Sequence, residues 1–197
     1  MQSLVVLISG GGSNLRAILE ASERPGFPAR VAAVGADTDA PGLAYARERG
    51  LPEFIVSPAD FADRAAWGAA LAQRVREHAP DLVVCAGFMR ILPPAFVAEF
   101  SPRLLNTHPA LLPAYPGAHA VRDALAAGAT VTGVTVHLID EGVDSGPIVA
   151  QRSVPVLPAD TEAVLHERIK AVERELLVSV IADIASGRID PEEVAAS

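Results

Sequence analysis

The sequence predicts an α/β fold with a mostly parallel sheet, helices on both of its faces, and an antiparallel hairpin near the C-terminal end. Two observations support this fold class. Short apolar runs rich in Val and Ile alternate with helical patterns up to about residue 128, which is typical of a parallel sheet covered by helices on both sides. Two more apolar runs then follow each other across a six-residue loop, which indicates a hairpin.

Five buried strands and three helices are predicted in the first part of the chain. The strands are expected at residues 3–9, 29–37, 53–57, 81–87 and 103–108. The first helix is predicted to begin near Leu15, and the second spans 42–50 and ends at Gly50. Asp60 is expected to cap a third helix, whose buried face repeats every four residues at Trp67, Leu71 and Val75. This alternation of strand and helix is Rossmann-like.

The hairpin and a long last helix complete the predicted fold. The hairpin strands are expected at 130–140 and 147–156, on either side of the sequence EGVDSG. The helix is predicted from about 161 to 186, with a buried face that consists of Leu165, Ile169, Val172, Leu176 and Val180. Residues 1–197 are expected to form a single domain, in which about the last ten residues fray.

Composition and charge narrow the classes of partner. The net charge is −8 and the basic residues form no cluster, so a large nucleic acid is not an expected partner. No apolar run approaches the roughly 20 residues that cross a bilayer, and no signal peptide is recognisable at the start. We therefore expect a cytoplasmic protein, and the single cysteine, Cys85, agrees because it excludes an internal disulfide.

The first predicted strand runs directly into the sequence GGGSN at residues 10–14. Glycines let a ligand approach the main chain, and the first amides of a helix attract an anion, so this turn is a candidate phosphate site. Leu15 stands where a dinucleotide fingerprint needs Gly or Ala, and no G-K-[ST] follows, so a single phosphate group is favoured. The alternative is a tight turn in which Ser13 or Asn14 caps the helix.

Three polar residues lie near predicted strand ends, where ligands bind in open α/β sheets. Asn106 and His108 are two apart, so they share one face of a strand, and the EGVDSG loop can add Asp144 if the hairpin packs beside them. An amide can stabilise an oxyanion, an imidazole can move a proton, and a carboxylate can hold the imidazolium form. No nucleophile motif is present, and Cys85 is interpreted as a packing residue, so the set suits direct group transfer.

Two alternatives stay open for the histidines. A single His after a strand is more often structural than functional. His108, His119 and His137 could instead be zinc ligands, but neither H-x-x-x-H nor H-E-x-x-H spacing is present, so no metal site is predicted.

Four segments resemble one enzyme family in their order and spacing: SGGGSNL, AGFMRIL, LLNTHPALLPAYPG and VDSGPI. They are similar to the phosphoribosylglycinamide formyltransferases (glycinamide ribonucleotide transformylases), within the folate-dependent formyltransferases. The resemblance extends from about residue 3 to residue 187. It implies the formyltransferase fold, and transfer of a formyl group from 10-formyltetrahydrofolate to the amine of phosphoribosylglycinamide in purine biosynthesis.

The resemblance also implies roles for individual residues. Asn106, His108 and Asp144 match the family's catalytic trio, in which the amide and the protonated imidazole stabilise the oxyanion and the carboxylate favours that protonated form. The substrate's phosphate and ribose are expected at Gly12, Ser13, Asn14 and Glu173. The folate is expected at Arg64, Met89, Arg90, Ile91, Leu92, Asn106, Asp140, Glu141, Gly142 and Val143. Supporting roles are implied for His119 and His137.

Departures from the family pattern and rival functions complete these expectations. Gly11 stands where Asn is common, and Thr107 where Ile or Val is commoner, and neither change is expected to affect the chemistry.

Two related enzymes share parts of the site. Methionyl-tRNA formyltransferase has a further basic C-terminal domain, and formyltetrahydrofolate deformylase has an additional N-terminal domain, but neither extension is expected here. A third alternative is a non-catalytic nucleotide-binding module. The resemblance implies small-molecule ligands, no metal, and a monomer or homodimer.

Overall fold

The structure, a computed structural model, describes residues 1–196. Strands of these residues form one sheet in the order β3-β2-β1-β4-β5-β6-β7. Their bounds are β1 Gln2–Ile8, β2 Ala29–Ala36, β3 Glu53–Ile55, β4 Leu82–Cys85, β5 Leu104–His108, β6 Val131–Leu138 and β7 Ile148–Pro155. β1 to β5 run parallel, β6 is antiparallel to β5, and β7 is antiparallel to β6. The predicted α/β fold with a C-terminal antiparallel hairpin is confirmed.

Helices connect the strands on both sides of the sheet. Their bounds are α1 Ser13–Ser22, α2 Ala44–Arg47, α3 Arg64–Arg76, α4 Pro94–Phe100, α5 Ala120–Ala126, α6 Glu162–Ala185 and α7 Pro191–Ala195. The second helix is shorter than predicted, because a 3-10 turn leads into the single turn of α2; Gly50 ends the segment at a φ of 62°, as expected. Within residues 1–196, every helix is too short or too polar to span a membrane.

The predicted N-cap of α3 is wrong. Asp60 lies in a separate 3-10 turn, and Phe61 after it is extended, so the chain straightens before the helix begins. Asp63 caps α3 instead, because its carboxylate accepts a 2.8 Å hydrogen bond from the amide of Ala66. The predicted buried face of α3 is confirmed at Trp67, Leu71 and Val75.

Three short helices have no counterpart among the predictions. α4 begins at Pro94, a residue that suits the first turn of a helix, and buries Phe96, Val97 and Phe100 against the sheet. α5 follows the proline-rich loop after β5. α7 occupies the end that was expected to fray, and Asp190 caps it by accepting a hydrogen bond from the amide of Glu192.

The central strands bury both of their faces, one under α1 and α6 and the other under α3 and α4. In β5, Leu105 belongs to the first of these clusters and Leu104 to the second. Because alternate residues of a strand share a face, Thr107 lies on the α6 side, and Asn106 and His108 lie together on the other side. The sheet therefore holds the predicted amide and imidazole on one face, as the spacing indicated.

Gly133 in β6 lies where a larger side chain has no room. A Cβ at this position overlaps the carbonyl oxygen of Arg152 on β7 and the side chain of Leu111. Gly133→Ala is therefore expected to lower the free energy of unfolding by about 3 kcal/mol, since backbone cannot move aside as a flexible side chain can. Urea unfolding followed by circular dichroism measures this change. Gly11→Ala is the control, because a Cβ there meets nothing within 4 Å; equal unfolding midpoints for the two variants contradict the prediction.

Candidate active site

The glycine turn after β1 leaves the start of α1 open. Gly12 takes the N-cap position with a left-handed φ of 69°, and no side chain caps the helix. A Cβ on Gly12 would lie 2.9 Å from the Cα of Gly42, whose amide donates a 3.0 Å hydrogen bond to the carbonyl of Gly10. Neither Ser13 nor Asn14 caps the helix, so the backbone amides of the first turn can bind an anion.

His108 ends β5 with each ring nitrogen opposite an acceptor. Nε2 lies 2.8 Å from the carbonyl oxygen of Tyr115, and Nδ1 lies 3.3 Å from a carboxylate oxygen of Asp144. A neutral imidazole has a single N–H, so only a doubly protonated ring presents an N–H on the side of each of these two acceptors. This geometry suits an imidazolium that can act on an oxyanion.

Asp144 joins the hairpin loop to the proline-rich loop after β5. Its φ is 52°, a left-handed conformation that Asp tolerates better than most residues. One carboxylate oxygen accepts a 2.8 Å hydrogen bond from the amide of Gly117 and faces His108, and the other lies 3.7 Å from Nε2 of His137. The hairpin therefore packs beside the end of β5, which is the condition on which the predicted trio depended.

His137 fixes the orientation of the Asn106 side chain. The two residues are cross-strand neighbours on β5 and β6, and Asn106 Nδ2 lies 3.2 Å from His137 Nε2. His137 Nδ1 lies 2.9 Å from the carbonyl of Leu138, so Nδ1 carries the proton and Nε2 accepts from Asn106. Burial lowers the pKa of His137, which agrees with a neutral ring. The second N–H of the Asn106 amide is then left for another acceptor.

Glu173, on α6, reaches the opposite face of β5. It accepts a 3.1 Å hydrogen bond from the hydroxyl of Thr107, which is 66 residues away in sequence. Burial raises the pKa of Glu173, while hydrogen bonds from Asn14 and Thr107 act in the opposite direction. A carboxylate therefore lies next to the glycine turn and directly behind the strand that carries Asn106 and His108.

Glu173→Gln is expected to stabilise the unliganded protein at neutral pH. Because burial raises the folded-state pKa of Glu173, the stability contributed by this group is full below its unfolded pKa and is lost as the pH rises through the folded pKa. The melting temperatures of the two proteins should coincide near pH 4 and diverge toward pH 8. The divergence should be about 2–4 °C for each kcal/mol by which their free energies of unfolding differ. Thermal melts at several pH values measure this. Glu175→Gln, at an exposed position of the same helix, is the control, and a lower melting temperature for Glu173→Gln at pH 8 contradicts the prediction.

The segment 89–92 follows β4 at the carboxyl edge of the sheet. Met89 and Ile91 are 66% and 57% exposed, whereas Leu92 is buried. Arg64, at the start of α3, donates hydrogen bonds of 3.1 and 2.7 Å to the carbonyl oxygens of Ile91 and Leu92. Two apolar side chains thus project from a segment of backbone that is held in place. A cleft of about 520 Å³ lies beside them, and Phe61 and Trp67 also line it.

Arg90, in the same segment, forms an ion pair with a residue that sequence reasoning missed. Its Nε lies 2.5 Å from a carboxylate oxygen of Asp37, which is 3% exposed. The second Asp37 oxygen is buried without a hydrogen-bond partner. The signal that could have identified Asp37 is its position directly after β2, at the edge of the sheet where ligands bind.

The remaining predicted site residues lie in two loops. Asp140 Oδ1 accepts hydrogen bonds from the amide of Gly142 at 3.0 Å and the hydroxyl of Ser145 at 2.9 Å, which shapes the hairpin loop. Glu141, Gly142 and Val143 are exposed in this loop. His119 is exposed at the N-cap position of α5. In the described part of the chain, no group of three or more His, Cys, Asp or Glu side chains is arranged to hold a metal ion.

Cys85 has the environment expected of a packing residue. It is 2% exposed at the end of β4. Burial raises the pKa of its thiol to about 12, so the thiolate needed of a nucleophile is scarce at neutral pH.

Comparison with known proteins decides the family. The formyl transferase profile matches residues 2–181. The chain belongs to the formyl transferase family. This family member is 55% identical over 183 residues to the phosphoribosylglycinamide formyltransferase of Mycobacterium tuberculosis (strain H37Rv), which covers 93% of this chain and 85% of the relative. It is 42% identical over 195 residues to the Escherichia coli K12 protein of the same name, with 98% and 92% covered.

Solved structures support the same membership. The crystal structure of glycinamide ribonucleotide transformylase 1 from Symbiobacterium toebii matches this formyl transferase with a TM-score of 0.93 at 44% identity, and covers 96% of this chain and 90% of that one. The family resemblance inferred from four sequence segments is therefore confirmed.

Proposed function

We propose that this formyl transferase transfers the formyl group of 10-formyltetrahydrofolate to the amine of N1-(5-phosphoribosyl)glycinamide in de novo purine (IMP) biosynthesis. The products are formylglycinamide ribonucleotide and tetrahydrofolate. The observation that carries the proposal is the position of His108 between Asp144 and the Tyr115 carbonyl, in a chain 55% identical to a phosphoribosylglycinamide formyltransferase. The proposed setting is the cytoplasm, where residues 1–197 act as a single domain on small molecules without a metal.

In the proposed reaction, the substrate amine attacks the formyl carbon directly. The new C–N bond forms as the carbonyl electrons move to oxygen, and the free N–H of Asn106 and the imidazolium of His108 stabilise this oxyanion. The Nε2–H of His108, which meets the Tyr115 carbonyl in the unliganded protein, is the donor that the oxyanion would engage. When the intermediate collapses, the bond from the formyl carbon to N10 of the folate breaks. Asp144, aided by water, transfers the proton that the amine loses to N10.

The ribonucleotide is proposed to bind between the glycine turn and Glu173. Its phosphate fits the open amides at the start of α1, beside Gly10 and Gly11, where a Cβ would meet nothing within 4 Å. Its ribose hydroxyls can donate to Glu173, a buried carboxylate on the neighbouring helix. Asn14, in the first turn of α1, interacts with Glu173 and lowers the pKa of that carboxyl.

The folate is proposed to bind along segment 89–92 and the hairpin loop. Exposed Met89 and Ile91 offer apolar contact for its rings, and the adjacent cleft of about 520 Å³ has a volume in the range of small-molecule sites. The backbone of loop 140–143 can hydrogen-bond the pterin edge. Arg90 keeps guanidinium nitrogens for a glutamate carboxylate, because Asp37 engages its Nε and the side chain is 49% exposed.

The test is loss of the formyl group from 10-formyltetrahydrofolate, followed by absorbance with and without phosphoribosylglycinamide. We expect release that requires the ribonucleotide. Release in its absence would indicate the deformylase activity, and no release in either case would favour the non-catalytic nucleotide-binding module.

A further inference from the structure

Thr107 lies on β5 between Asn106 and His108 but faces the other way. It is 7% exposed, and its hydroxyl donates a 3.1 Å hydrogen bond to Oε1 of Glu173 on α6. The strand alternation that directs Asn106 and His108 toward the reacting groups therefore directs Thr107 toward the proposed ribose site.

The groups that hydrogen-bond to the Glu173 carboxylate are neutral. It is 8% exposed, and within residues 1–196 it takes part in no ion pair. The hydrogen bonds it accepts come from the Thr107 hydroxyl and the Asn14 amide. An ionised carboxylate offers about four lone-pair positions, so these two donors fix its orientation and still leave positions for the hydroxyls of a ligand.

Asn14 provides a second observation that points to a ligand. It is 5% exposed in the first turn of α1, and its Oδ1 is buried without a hydrogen-bond partner. The interaction of its amide with Glu173 lowers the pKa of that carboxyl, and the Oδ1 atom is left without a partner. Buried acceptors are nearly always satisfied, so this oxygen is suited to a donor that arrives with the ligand.

We propose that Thr107 is a positioning residue for the ribonucleotide: its hydroxyl holds the Glu173 carboxylate, and through it the Asn14 amide, in the orientation that receives the ribose hydroxyls. The inference rests on the proposed ribose-binding role of Glu173. It gives the hydroxyl at position 107 a function in binding that an apolar β-branched side chain at the same position could not supply.

The experiment compares Thr107→Val with Thr107→Ser in steady-state formyl transfer. Val has nearly the same shape as Thr but no hydroxyl, and Ser keeps the hydroxyl. We expect Thr107→Val to raise KM for phosphoribosylglycinamide about tenfold, since a hydrogen bond to a charged group is lost. We expect kcat and KM for 10-formyltetrahydrofolate to stay within about twofold, and Thr107→Ser to restore most of the lost affinity. Thr107→Ala is a second variant without the hydroxyl, in case Val disturbs the fold.

Thr132→Val is the matched control. Thr132 is another buried strand threonine, 1% exposed, but its hydroxyl has no hydrogen-bond partner, so its loss should leave both KM values unchanged. Unchanged ribonucleotide KM in Thr107→Val and Thr107→Ala overturns the inference, as does an equal defect in Thr107→Ser.

Glu173→Gln separates the inference from the function on which it rests. If Glu173→Gln raises the ribonucleotide KM and Thr107→Val does not, the positioning role is wrong and the ribose role stands. If Glu173→Gln leaves this KM unchanged, the ribose role fails and the inference with it. In the double variant we expect no further loss than in Glu173→Gln alone, because the carboxylate that Thr107 would position is already absent.

Discussion

Replacing His108 with Ala is expected to lower kcat about 10³-fold, within the range that general acid–base and oxyanion groups contribute. The ring sits between the Tyr115 carbonyl and the Asp144 carboxylate, so it is placed to meet the developing charge of the reaction. It forms no hydrogen bond or ion pair with the glycine turn, Glu173 or segment 89–92, which make up most of the proposed binding surfaces. Substrate affinity should therefore change only a few-fold while the chemical step is lost.

Single-turnover rates and equilibrium binding of each substrate separate these two effects. The control is His78→Ala, because His78 lies beyond the end of α3 and stacks on Phe54, away from the strand ends that form the site. Wild-type turnover in His108→Ala would contradict the proposed role. A loss of affinity as large as the loss of rate would assign His108 to substrate binding instead.

The fold could be predicted from local patterns because its main elements are long or uniformly apolar. β4 and most of β1 are buried on both faces, so their sequences form short apolar runs, and β5 begins with two buried leucines. The long helix α6 repeats its buried residues at three- and four-residue steps, and Thr161 caps it close to the predicted start. Such signals do not depend on any distant contact.

The elements that could not be predicted depend on their neighbours. α4 and α5 have seven residues each, which is too few turns to show a period. Asp60 and Asp63 are both good capping residues, and what separates them is the extended conformation of Phe61 after the 3-10 turn. That conformation arises in the folded chain, and no pattern in the neighbouring sequence indicates it.

The candidate site shows the same division. Asn106 and His108 could be identified because a strand places residues two apart on one face, and Asp144 because it lies in a hairpin loop. Glu173 followed only from family resemblance, since its partner Thr107 is 66 residues away. Arg90 and Asp37 are 53 residues apart in sequence, and the position of Asp37 directly after β2 indicates a strand end but does not identify its partner.

Asp144→Asn is expected to reduce kcat about 10²-fold or more with little loss of stability. Asn tolerates the left-handed φ of 52° at this position, and its side-chain oxygen can still accept the hydrogen bond from Gly117. What changes is the charge opposite His108: an amide cannot balance an imidazolium, and it cannot take up the proton that the substrate amine loses.

Asp144→Ala would be a poorer test, because it also removes the Gly117 anchor and places Ala at a φ that costs about 1 kcal/mol or more. The measurement is therefore kcat of Asp144→Asn, with its urea unfolding midpoint as the check on the fold. Asp123→Asn, at a half-exposed carboxylate on α5, is the matched control. Full activity in Asp144→Asn would show that the charge is dispensable and that Asp144 serves only to hold the loop through Gly117. A loss of activity at unchanged stability would assign the effect to the charge, since the hydrogen-bonded loop geometry is retained.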